Sequence, residues 1–285
     1  MENRRNFLRT VIAGAAGGTS LAAHRAHEQG GTDPQATEKA RTIPVAVIQF
    51  DAVSGQVDRN VREMERLSAA AAQAGARWIL FHELTTCDYV EKADSVVEPV
   101  PEGPSTVRMA KLAKQSNCFI AFGLAEAHRG CVYDALVFVG PRGYVYHYRK
   151  TWLWHRAKDT SFRDEWSRFD PGAGPEIFTI DGVRATCFIC SDGDSARCIR
   201  ELAELKPRVV FYPNNRESWP SLEVFGNMAK TIHAPLLVAN RVGRSVIFDC
   251  PGGSAVFSAQ GEVLAQANRQ GREEILHCNL ELPNA

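Results

Sequence analysis

The sequence predicts an α/β domain in which strands outnumber helices. Short apolar runs rich in β-branched residues recur along most of the chain, and stretches with apolar residues every three or four positions lie between the earlier ones. Glycine and proline mark breaks between them, and the composition is that of an ordinary globular protein: 45% hydrophobic, 23% charged and 9% aromatic. At 285 residues the chain is long enough to bury a substantial core as one domain.

The first strand is expected over 43–50, where Ile43, Val45, Val47 and Ile48 form an apolar run without helical spacing. A helix follows over 56–74, because Val61, Met64, Leu67, Ala71 and Ala74 share one face and Gly75 supplies a stop. Trp78-Ile79-Leu80-Phe81 reads as a second buried strand, which completes a strand-helix-strand unit. The same pattern predicts a helix over 105–115 and strands over 118–124 and 132–139, with Gly140-Pro141-Arg142-Gly143 as a hairpin turn. Further strands are expected at 144–149, 176–189, 208–212, 235–240, 254–257 and 262–265, and helices at 195–205 and 221–232.

Residues 1–30 have a different character. Arg4-Arg5-Asn6-Phe7-Leu8-Arg9 precedes an uncharged Gly/Ala-rich run from Val11 to Ala23 that ends in small residues, which resembles a twin-arginine export signal. That run is too short for a membrane span of about 20 residues, so no stable span is expected. Residues 31–42 read as a linker and 43–285 as the folded domain, with an exported, periplasmic or extracytoplasmic location and a cytoplasmic one as the alternative. The eight cysteines are expected to be mostly buried small hydrophobes, since a domain of this size does not need a disulfide framework.

Lys plus Arg and Asp plus Glu both number 33, so no net field draws the chain to nucleic acid. A small-molecule substrate fits better. No phosphate-cradling glycine loop and no His/Cys cluster with ligand spacing is present, so neither cofactor nor metal is expected.

Three polar residues stand where apolar runs end, which is where an α/β fold presents groups to a ligand on a rigid frame. They are Glu83 in Phe81-His82-Glu83-Leu84, Lys150 in Tyr148-Arg149-Lys150-Thr151, and Cys190 in Ile189-Cys190-Ser191-Asp192. A carboxylate, an amine and a thiol can together open an amide. Glu83 suits the base that activates the thiol and the acid that returns the proton to departing ammonia. Lys150 and the Ser191 backbone N–H suit stabilisation of the oxyanion.

The wording around these residues resembles the nitrilase superfamily of carbon-nitrogen hydrolases. Glu83 with Leu84 and Tyr89 looks like its glutamate motif, 148–153 like its lysine motif and 189–192 like its cysteine motif, in the family's order. Glu165, four residues before Phe169 and followed by Pro171-Gly172, resembles the family's second glutamate and would partner Lys150. Ala239-Asn240-Arg241-Val242-Gly243 and Gly252-Gly253-Ser254 resemble its closing strands, so the resemblance spans about 43–279. It implies an α-β-β-α sandwich, a homodimer or higher homo-oligomer, and hydrolysis through an acyl-thioester. The chain departs from the family pattern at His82, where proline is usual, at Asp88, where glycine is usual, and at 193–197, which replace an aromatic-Pro-Glu segment.

Ser191-Asp192 after the cysteine resembles amidase members, which favours an amide or N-carbamoyl substrate, with water as co-substrate, over a nitrile. Tyr89 and the polar stretch containing Asn214 and Asn215 are candidates to contact it. Two other classes stay open: a thiol-disulfide protein using the pair Cys187 and Cys190, and a catalytically silent binding protein on the same fold. Against the redox pair, the apolar Phe188 and Ile189 between the two cysteines continue a strand.

Overall fold

The computed structural model describes residues 41–155, 164–218, 221–246, 248–268 and 270–282, all within one compact unit, Thr37–Ala285. The expected export signal and linker residues 31–40 lie outside the described residues. Arg41 and Thr42, read as linker, instead begin the first strand.

The elements in chain order are β1 (Arg41–Gln49), α1 (Val57–Gln73), β2 (Trp78–Leu80), α2 (Pro104–Gln115), β3 (Phe119–His128), β4 (Cys131–Gly140), β5 (Gly143–Arg149), β6 (Phe178–Ile180), β7 (Val183–Cys187), α3 (Ala196–Glu204), β8 (Val209–Asn214), α4 (Leu222–Ile232), β9 (Leu236–Asn240), β10 (Val242–Arg244), β11 (Asp249–Pro251), β12 (Ala255–Phe257), β13 (Val263–Gln266) and β14 (Glu274–Leu282). They form two six-stranded sheets, ordered β14-β1-β2-β3-β4-β5 and β13-β12-β9-β8-β7-β6, and a small β10-β11 ribbon. Each large sheet has parallel strands at its centre, β1-β2-β3 in one and β7-β8-β9 in the other, with antiparallel strands outside.

Period-two alternation explains the layering, because both faces of the central strands are buried. In β1, Val45 and Val47 face the other sheet, whereas Ala46 and Ile48 pack with Met64 and Leu67 of α1 and Met109 of α2. In β8, Val209 and Phe211 meet the first sheet through Trp78 and Phe138, while Val210 and Tyr212 pack under α3 and α4 with Leu202 and Phe225. The result is an α-β-β-α sandwich.

Three differences from the sequence expectation have local causes. The run 176–189 is not one strand: Asp181 and Gly182 take φ of 52° and 78° and turn it into the β6-β7 hairpin, as an Asp-Gly pair between apolar runs does. The chain also leaves the sheet at Cys187 and enters a 3-10 turn at Cys190–Asp194. The ribbon β10-β11 and the terminal strand β14 were not expected; β14 pairs with β1 along its full length, from Arg41 against Leu282 to Gln49 against Glu274.

Candidate active site

Glu83, Lys150 and Glu165 converge beyond the carboxyl ends of β2 and β5. Glu83 sits on the turn after β2, where Leu84 and Asp88 hold positive φ of 48° and 52°. That geometry favours glycine, and aspartate tolerates it better than most residues, which accounts for Asp88 where the related motif has glycine. Asp88 is also a clamp: it accepts hydrogen bonds from Ser54 at 2.5 Å, Ser245 at 2.8 Å and Asn215 at 2.9 Å. Gly123 of β3 lies under the turn, and a Cβ there would collide with the backbone of Glu83 and Leu84. His82 is fully buried and its Nδ1–H donates to the Glu83 carbonyl at 2.8 Å; burial holds its ring down at about 4, so it is neutral at pH 7.

The Lys150 ammonium, completely buried, donates to Glu83 Oε1 at 2.5 Å and Glu165 Oε1 at 2.7 Å, and lies 3.5 Å from Asp134 Oδ2. Burial opposes the charge, but Glu165 and Glu83 outweigh it and hold the lysine well above its ordinary value. Glu165 is fixed further by Tyr89 Oη at 2.6 Å and by the Trp154 backbone N–H at 2.7 Å. Oxygens of Glu83, Asp134 and Glu165 fall within 4.8 Å of one another, a spacing that could suit a divalent cation. Here the lysine ammonium reaches all three carboxyls.

Cys190 opens the 3-10 turn at a strained φ of 43°. Two donors hold its carbonyl in place, Tyr212 Oη at 2.7 Å and Arg216 Nη2 at 2.5 Å. Gly193 lets the turn lie against Tyr212, whose hydroxyl a Cβ would strike. Burial pushes the Cys190 thiol well above its usual value; Arg216 and Lys150 pull it down, Glu83 and Glu165 push it up. Its ionisation is therefore coupled to the charge state of the neighbouring groups.

Asp192 ties the lysine and cysteine segments together. One of its oxygens accepts from the N–H groups of Thr151 at 3.1 Å and Trp152 at 2.7 Å; the other accepts from Ile189 N–H at 2.8 Å and Tyr148 Oη at 2.9 Å. Ser191 Oγ adds a bond to the Trp152 carbonyl at 2.7 Å.

A cavity of about 130 Å³ opens over Cys190, lined by Tyr89, Trp154, Glu165, Ser191, Asn215, Arg216 and Phe248 among others. Of the expected contact residues, Tyr89 and Asn215 face it. Asn214 does not: it is buried at the end of β8, where its Oδ1 accepts from Arg216 Nε at 2.9 Å. The reason is position: Asn214 is still held in β8, whereas Asn215 lies just beyond the strand's end. Sequence reasoning gave no role of their own to Asp134, Asp192, Asp194 and Arg216. A signal existed for Asp134, a lone carboxylate within the apolar run of β4; Arg216 and Asp194, paired at 3.1 Å, belong to the unusual polar segments already marked.

All eight cysteines are free, and six are buried. Cys187 ends β7 inside the core between the sheets and does not line the cavity. No helix among the described residues is long and apolar enough to cross a membrane.

The sequence profile described as carbon-nitrogen hydrolase matches residues 44–284. A nitrilase of Pyrococcus abyssi is 27% identical over 81% of this chain and 87% of its own length. An (R)-stereoselective amidase of Pseudomonas sp is 31% identical, covering 82% and 83%, and an N-carbamoylputrescine amidase of Solanum lycopersicum is 29% identical, covering 77% of each. Among solved structures, a mutant of the amidase from Nesterenkonia sp. AN1, of the nitrilase superfamily, superposes with a TM-score of 0.72 over 88% of this chain and 93% of that one, at 18% identity.

Proposed function

The chain belongs to the carbon-nitrogen hydrolase family, and we propose that it cleaves the non-peptide C–N bond of a small amide or N-carbamoyl compound through an acyl-thioester on Cys190, releasing ammonia. The observation that carries this reading is the buried Lys150 ammonium bound to Glu83 and Glu165 beside a cavity that exposes Cys190.

Chemistry follows from that arrangement. Glu83 takes the thiol proton as sulfur attacks the carbonyl carbon, and the oxyanion is met by the Lys150 ammonium and the Ser191 N–H. As the C–N bond breaks, Glu83 returns the proton to the leaving nitrogen. Water then attacks the thioester as Glu83 takes its proton; the C–S bond breaks, Glu83 returns the proton to the Cys190 sulfur, and the acid departs. Glu165 acts through Lys150 and Tyr89, which it holds in place. The relatives named as amidase and N-carbamoylputrescine amidase favour an amide or N-carbamoyl group over a nitrile.

A panel of small amides, N-carbamoyl amines and nitriles, assayed for ammonia, tests the proposal together with mass spectrometry of the enzyme quenched during turnover. An acyl adduct on Cys190 is expected. Turnover by a Cys190→Ala variant, or an adduct located elsewhere, refutes it.

A further inference from the structure

We infer that Asp134 stands in this site as a neutral carboxylic acid whose O–H donates to Glu83 Oε2, so that it positions the proton acceptor of the proposed reaction. The inference rests on that reading of Glu83 for its functional half, and on the geometry and charge balance of the cluster for the placement of the proton.

Charge counting is the first argument. Three carboxyl groups, those of Glu83, Asp134 and Glu165, surround one ammonium, and all four side chains are buried. Fully ionised, the cluster would hold two uncompensated negative charges away from water, which burial penalises heavily. One proton removes half of that excess.

Unmatched atoms say where the proton sits. Among the described residues, Glu83 Oε2 and both oxygens of Asp134 are buried without a hydrogen-bond partner. Carboxylate oxygens only accept, so two ionised groups facing each other leave this pattern; a single proton supplies the missing donor. Glu165 has three donors already, from Lys150, Tyr89 and Trp154, and Glu83 has Lys150 at 2.5 Å. Asp134 has only the edge of the ammonium, at 3.5 Å, so it is the group whose charge is least compensated.

The other groups facing Asp134 do not change the balance. Tyr89 and Cys87, on the segment after β2, are both held neutral at pH 7, the phenol well above its usual value and the thiol pushed up to about 12, each chiefly by burial. Burial, then the charge of Glu83, lifts Asp134 itself well above the usual carboxylate range against the pull of Lys150.

The consequence is a positioning role. A neutral Asp134 anchors Oε2 of Glu83 and leaves Oε1 on Lys150, and it withholds one negative charge from the field that opposes ionisation of Cys190. An amide reproduces the neutral donor, whereas an apolar side chain does not. Infrared difference spectra of the full chain at pH 7 should show the carbonyl stretch of a protonated carboxylic acid that disappears in Asp134→Asn. The same variant should keep kcat/KM within about threefold of the parent, while Asp134→Val, if folded, should lose about 10²-fold through displacement of Glu83. Rising pH should reduce parent activity as Asp134 loses its proton, and Asp134→Asn should move that alkaline limb upward. Absence of the protonated-acid band, or an Asn variant as impaired as the Val variant, overturns the inference. Because the spectrum needs no substrate, it decides the proton's location even if the proposed hydrolase chemistry fails.

Discussion

Replacing Asp192 by alanine removes the tie between the Lys150 and Cys190 segments, and its cost can be worked from four hydrogen bonds. Ile189 N–H and Tyr148 Oη donate from buried positions at 2.8 and 2.9 Å, while Thr151 and Trp152 N–H donate from half-buried ones at 3.1 and 2.7 Å. Ile189 N–H, left without an acceptor, costs about 1.5 kcal/mol, while Tyr148 Oη keeps Thr151 Oγ1 at 3.0 Å and the two half-buried donors recover water, at about 0.5 kcal/mol each, so the loss is about 3 kcal/mol. For a domain of this size that corresponds to a fall of roughly 6–12 °C in Tm. Burial pushes the Asp192 carboxyl up to about 6, so calorimetry at pH 8 compares the variant with the ionised parent. Activity should fall with stability, because the turn that holds Cys190 loses its lock to the strand end that holds Lys150. A variant that melts within 2 °C of the parent and keeps full kcat/KM would show that these bonds do not organise the site.

Three other outcomes are expected. Cys190→Ala should abolish turnover, and Glu83→Gln and Lys150→Ala should each lower kcat/KM at least about 10²-fold, whereas Cys187→Ala stays active; equal losses in the two cysteine variants, in folded protein, would favour the redox reading. His82 is held near 4 when folded and titrates near 6.5 when unfolded, so the unfolded state gains a proton first and stability falls as pH drops from 6.5 toward 4, by up to about 3 kcal/mol; denaturant titrations of His82→Gln should lack that portion of the slope. We propose export through Arg4-Arg5, and replacing both by lysine should leave uncleaved precursor in the cytoplasm, with unchanged localisation in cell fractions counting against it.

Sequence by itself determined the elements whose periodicity is strong. The helix expected over 56–74 is α1, Val57–Gln73, and the strands expected over 132–139 and 144–149 are β4 and β5, because runs buried on one or both faces must repeat at the period of their backbone. The run 176–189 was read as one strand, and the Asp181-Gly182 pair that turns it into a hairpin was missed. Local wording also singled out Glu83, Lys150, Glu165 and Cys190, which sit on turns immediately beyond strand ends or on a short 3-10 turn.

What only the tertiary structure decided is who meets whom. Asp192 belongs to the cysteine motif in sequence, yet its partners Thr151 and Trp152 come from the segment after β5, in the other half of the sandwich. Asn214 and Asn215 looked equivalent as polar neighbours, but Asn214 is the last residue of β8 and binds Arg216, while Asn215, just beyond the strand, reaches the cavity and Asp88. Asp134 read as a lone charge in an apolar strand. Its meaning depends on three groups that are distant along the chain, Glu83, Lys150 and Glu165, because electrostatic energy in a buried site is set by distance through space and by the solvent excluded, neither of which spacing along the chain records.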